Sequence, residues 1–131
     1  MRIFWGVAVG AALGGLSRFY LGNLIQQWAG ADFPLGTLLI NISGSLLLGF
    51  IMRYALQTNA ITEAMRMTLT TGFCGGYTTF STFSYDTALQ IQNREYGRAL
   101  VYVGSSVFIA LAGVFVGFAF ANHLLALRHG G

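Results

Sequence analysis

The chain contains no lysine, and only one cysteine, one proline and four acidic residues among its 131 positions. Each scarcity excludes something. A lone cysteine, Cys74, cannot close an internal disulfide, so no disulfide scaffold is present. Charged residues make up 8% of the chain, against roughly 25% in ordinary soluble domains, too few to cover the surface of so small a domain. The net charge of +3 rests on seven scattered arginines, which leaves no basic surface for a nucleic acid and predicts no such partner. Eighteen glycines without a triplet period exclude a collagen-like chain, and an apolar fraction of 55% excludes disorder. What remains is an integral membrane protein, read as a single domain over residues 1–131. The mean hydropathy of +0.64 agrees.

A spanning helix needs about 20 predominantly apolar residues. Four segments qualify: Ile3 to Ile25, Leu35 to Leu56, Met65 to Ile91, and Arg98 to Leu127. The first could be misread as a signal peptide behind Arg2, but it runs on through Arg18 to Tyr20 and Leu21. Short connections leave no room for a soluble domain, and no nucleophile–base or metal-ligand cluster is visible, so the chain does not read as an enzyme.

Topology is weakly marked. Arg2, Arg53, Arg66 and Arg128 fall on the side of the two termini, while Arg94 and Arg98 fall on the other, with Arg18 toward that end of its helix. The positive-inside rule then leaves two readings: one poorly determined orientation, or copies inserted both ways that pair antiparallel. Helices in lipid are held by close packing of small residues. Gly6, Gly10 and Gly14 repeat at i+4 on the first segment, and Gly113 and Gly117 on the fourth. Four helices barely enclose a solute path, so a transporter built from this chain needs at least a dimer.

Polar groups inside a span are costly and face a partner or a water-filled path. Thr37, Asn41 and Ser45 share one face of the second segment, and Tyr102 and Ser106 one face of the fourth. For Asn41 two readings stay open, bonding between helices and lining a path. The third segment carries Gly72, Gly75 and Gly76 near its middle, flanked by Thr70, Thr71, Thr78, Thr79, Ser81 and Thr82. Adjacent glycines weaken a helix, and hydroxyls can satisfy freed backbone groups, so the segment is expected to break there. Phe80 and Phe83 follow on one face. Ring edges are positive, so beside hydroxyls and an amide they form a lining suited to a small anion. Arg18 is either an interfacial anchor or part of a basic vestibule, and Asp86 is expected to pair or cap.

Gly72-Phe73-Cys74-Gly75-Gly76-Tyr77-Thr78-Thr79-Phe80-Ser81-Thr82-Phe83 resembles the third-helix signature of the Fluc (CrcB) family of fluoride channels. Gly36-Thr37-Leu38 with Asn41 and Gly44 resembles its second-helix motif, and Gly14, Gly15 and Arg18 its first. The resemblance spans the whole chain. It implies an all-α membrane protein of four transmembrane helices, the third broken near the bilayer centre. It implies an antiparallel dual-topology homodimer in the plasma (inner) membrane of a microbe, with two pores that export fluoride passively. A structural Na⁺ would sit at the dimer centre on backbone carbonyls of Gly75 and Thr78. The pore would be lined by Asn41, Phe80, Phe83, Ser81 and Thr82, with Tyr102 and Ser106, and Arg18 would line a vestibule. Asp86 stands where many members carry Glu, and Ala110 and Val114 interrupt the hydroxyl track beyond Ser106.

Two other readings compete. A small proton-coupled multidrug exporter would need a titratable carboxylate deep in a helix, and the first span has none. A non-transporting assembly subunit of a membrane complex would show no flux on its own.

Overall fold

The computed structural model describes residues 1–30 and 32–131, and the described residues form helices joined by short connections, with no strand. Helix α1 is Arg2–Ala29. It stops at Gly30, whose φ of 60° lets its N–H turn back to the Gln26 carbonyl. Helix α2, Leu35–Gln57, starts directly after Pro34, where the missing N–H costs nothing. Helix α3 covers residues 63–77 and is continuous through Glu63–Met67, Thr68–Cys74 and Gly75–Tyr77. The Thr62 side chain caps it by accepting from the Met65 N–H at 3.2 Å. Helix α4 is Phe80–Gln92 and helix α5 is Tyr96–His129.

Helices α1, α2 and α5 are long and apolar enough to cross a membrane, with mean hydropathies of 1.2, 1.9 and 2.2 over their most apolar stretches. Their outer faces are apolar. Leu16, Leu100, Phe108 and Phe115 all point away from the chain. Only 11% of the α1 stretch is buried, so most of that helix faces lipid or another subunit. The third segment is split into α3 and α4.

The split is not where the glycines suggested. Residues 72–76 remain helical, and the chain becomes extended at Thr78 (ψ 157°) and Thr79 (φ −149°, ψ 121°). The glycines serve helix packing instead. A side chain on Gly72 would come within 2.9 Å of the Val7 carbonyl, and one on Gly76 within 3.0 Å of the Ala11 Cα. On the facing helix, a side chain on Gly14 would lie 2.8 Å from the Tyr77 N. Glycine thus meets glycine-rich backbone across the α1–α3 seam, and this contact offsets the roughly 1 kcal/mol that each helical glycine costs relative to alanine. Thr68–Cys74 is a wide π-helical stretch, in which the Gly75 N–H reaches back five residues to the Thr70 carbonyl.

A second seam joins α2 to α5, which run parallel. Gly117 admits the backbone of Phe50, and Gly49 that of Val114. The core lies between these seams, where Tyr102, Ile40 and Cys74 are fully enclosed.

Candidate functional site

The break between α3 and α4 is stabilised from outside. In a continuous helix the Thr79 N–H would bond the Gly75 carbonyl, and the Thr82 N–H the Thr78 carbonyl. Both donors are diverted. The Thr79 N–H donates to Asn41 Oδ1 at 2.8 Å, and Asn41 Nδ2 donates to the Thr79 carbonyl at 3.1 Å. The Thr82 N–H donates to Thr79 Oγ1 at 3.3 Å, which caps α4. Thr78 closes α3 with its own side chain, its hydroxyl donating to the Cys74 carbonyl at 2.9 Å. Gly44 makes the approach of α2 possible, since any side chain there would run into Thr78 and Tyr77. The Tyr77 hydroxyl meets Ser43 Oγ at 2.9 Å, a second tie between α2 and α3.

Three cavities surround the break. The smallest, about 240 Å³, is lined by Asn41, Ser45, Thr78, Thr79, Phe80, Phe83, Ser106 and Val107. It brings together Asn41, both phenylalanines and Ser106 from three helices. Ser106 Oγ is buried there without a hydrogen-bond partner among the described residues. The Phe80 and Phe83 rings lie 5.6 Å apart at 44°, and Phe80 is 79% exposed. No charged side chain lines this cavity.

A larger cavity, about 350 Å³, shares Thr79 with the first and opens toward the N-terminal end of α2. Arg18, Thr37 and Thr82 line it, and so do Asp32 and Asp86. Arg18 is held by its Nε donating to the Gly76 carbonyl at 3.2 Å, a cation on the negative end of the α3 dipole. This cavity is therefore mixed in charge. Gln26 also lines it, and its amide repeats the device seen at Asn41: Nε2 donates to the Phe33 carbonyl at 3.0 Å and Oε1 accepts from the Gly36 N–H at 3.0 Å. A third cavity, about 400 Å³, lies on the far side, lined by Ser45, Thr71, Gly75 and Thr78 among others, with Arg66.

The three polar residues of α2 border all three cavities. Thr37 borders the larger cavity, Asn41 the small one, and Ser45 both the small one and the third. Tyr102 stands apart. Its hydroxyl donates to Asp86 Oδ2 at 3.1 Å, and its ring packs 5.2 Å from that of Phe83, fully buried. It supports the Phe83 ring from behind instead of lining the small cavity. Ser81 is exposed, with its hydroxyl 3.2 Å from Thr79 Oγ1. The sequence reading missed Gln26, Asp32 and the structural work of Gly44. The Gln26 signal was available: an amide inside an apolar helix must find partners.

An all-helical chain with an apolar exterior, a discontinuous third segment and a polar stripe beside the break is a membrane protein. A family model described as CrcB-like protein, Camphor Resistance (CrcB), matches residues 5–118. The chain is 42% identical over 118 residues to the fluoride-specific ion channel FluC of Geobacter metallireducens, covering 90% of this chain and 95% of that one. It is 45% identical over 112 residues to fluoride-specific ion channel FluC 2 of Symbiobacterium thermophilum, covering 86% and 91%. It is 44% identical over 116 residues to the archaeal FluC of Thermococcus gammatolerans, covering 88% and 93%. The chain belongs to the CrcB family.

Proposed function

We propose that this protein is a passive fluoride channel, not an enzyme, that lets fluoride leave the cytoplasm of a microbe across its plasma (inner) membrane. The observation that carries the reading is the small cavity of neutral donors and ring edges beside the break. Fluoride is small and strongly hydrated, so a path must replace its water with donors. The Asn41 amide has two N–H groups, of which one is spent on Thr79. Ser106 Oγ has no hydrogen-bond partner among the described residues. The rings of Phe80 and Phe83 add positive edges. None of these is a formal cation, and conduction needs binding weak enough to permit exit. Arg18, tied to Gly76 in the larger cavity, attracts anions without trapping them in the narrow part.

The same reading makes the working unit an antiparallel homodimer with two pores. It is supported by the near-balanced arginines and by the exposure of Phe80, a large ring beside the site with one side left to a neighbour. A structural Na⁺ at the dimer centre fits the released oxygens. The Gly75 and Thr78 carbonyls have lost their helical donors, and both residues line the third cavity, which holds no carboxylate. Neutral oxygens suit a monovalent cation better than a divalent one. Bound there, Na⁺ would supply charge that satisfies the carbonyls and fixes the break. Fluoride and chloride efflux from liposomes holding the purified protein tests the function. Fast fluoride efflux with chloride retained is expected; equal release of both ions, or of neither, contradicts it.

A further inference from the structure

We propose that the groove between the C-terminal halves of α2 and α5 holds an anionic phospholipid. The groove encloses about 440 Å³, and its walls are almost wholly apolar. Leu48, Met52 and Leu56 form one wall at i, i+4 and i+8, and Val114 and Phe118 the other. Eight helical residues span ~12 Å, a length suited to the upper part of an acyl chain. Gly49 sets the depth by letting the Val114 backbone approach.

Arg53 stands in this groove near the end of α2. Its guanidinium carbon lies 4.5 Å from the centroid of the Phe118 ring. A cation–π contact of this kind consumes no N–H donor, so the guanidinium keeps its fork of donors for a phosphate. Arg53 makes no hydrogen bond to the described residues. The sole ion pair among them, Arg98 with Glu95, lies at the opposite end of α5. A second guanidinium sits at the same end of the helix pair, where Arg128 Nη1 donates to the Tyr54 hydroxyl at 3.2 Å. An apolar trough that ends at a cation with free donors, at the membrane edge of a spanning helix, has the chemistry of a phosphodiester carrying net negative charge. A zwitterionic headgroup would place its own cation near Arg53 and gain less.

Native mass spectrometry of the purified protein, offered equal phosphatidylglycerol and phosphatidylcholine, tests the site without any flux measurement. Preferential retention of phosphatidylglycerol is expected, roughly fivefold, the ~1 kcal/mol of one arginine at an anionic surface. The preference should vanish in Arg53→Gln, fall in Phe118→Leu, and persist in Arg98→Gln at the other end. Equal retention of the two lipids by the parent protein, or a preference unchanged in both groove variants, overturns the proposal. So does efficient self-cross-linking of Leu56→Cys in membranes, which would make a second copy of the chain the occupant.

Discussion

The side-chain amide of Asn41 hydrogen-bonds both the N–H and the C=O of Thr79, at 2.8 and 3.1 Å. It acts as a one-residue substitute for the backbone partner that a broken helix lacks. Non-helical backbone at membrane depth survives only with such partners. Of the two readings left open by the sequence, bonding between helices is the one these contacts display, and the same amide borders the small cavity, where the proposed path would run.

Replacing Asn41 with Ala should therefore cost stability as well as flux. Two part-buried backbone groups lose their partner, at up to about 1–3 kcal/mol each. A fall of several degrees in the detergent-solubilised melting temperature is expected. An unchanged melting temperature would show that the break is held by other contacts.

Gly44→Ala and Gly15→Ala form a matched pair. A methyl group at Gly44 would collide with Thr78 and Tyr77, whereas at Gly15 nothing lies within 4 Å. Overpacking typically costs about 1–3 kcal/mol, so Gly44→Ala should destabilise the protein, whereas Gly15→Ala, inside a helix with open space around it, should stabilise it by up to about 1 kcal/mol. Equal effects of the two substitutions would remove the argument that Gly44 exists to admit the break.

The extent to which the sequence revealed this arrangement differs by feature. Helix bounds follow from hydropathy, and α2 was expected to end at Leu56 and ends at Gln57. The broken third segment was legible, but its position was not. Glycine propensity pointed to Gly75 and Gly76, while packing against Ala11 and Gly14 keeps those residues helical and moves the break to Thr78–Thr79. Local preference gave way to a contact with a helix some sixty residues away, which periodicity cannot show. Asp86 was expected to pair or cap, and its carboxylate accepts from the Tyr102 hydroxyl. Asp32 and Gln26 in the larger cavity depend on how the α1–α2 connection folds back, and their spacing does not report that.

Sodium removal tests the proposed centre. If Gly75 and Thr78 carbonyls hold Na⁺, exhaustive exchange for a large organic cation should lower both flux and thermal stability, and Na⁺ should restore them. Flux and stability identical in Na⁺-free medium would reject the site.

The proposed dual topology predicts a response to charge. Adding two or three lysines after Gly131 should bias insertion toward one orientation. Antiparallel pairs would then be scarce and fluoride efflux from cells should fall. Reporter fusions that show one fixed orientation for the unmodified chain would contradict the pairing.

The most direct test of the ion path is fluoride efflux, recorded with a fluoride electrode, from liposomes containing Phe80→Ile, Phe83→Ile or Asn41→Asp protein beside the parent. Isoleucine keeps much of the bulk and removes the ring edge, so efflux should fall steeply while the assembly stays intact. Asn41→Asp places a carboxylate on the path. At an effective dielectric of about 20, like charges ~4 Å apart repel by ~4 kcal/mol, roughly a thousandfold loss. Parent-rate fluoride efflux in all three variants would show that the cavity beside Thr79 is not the route.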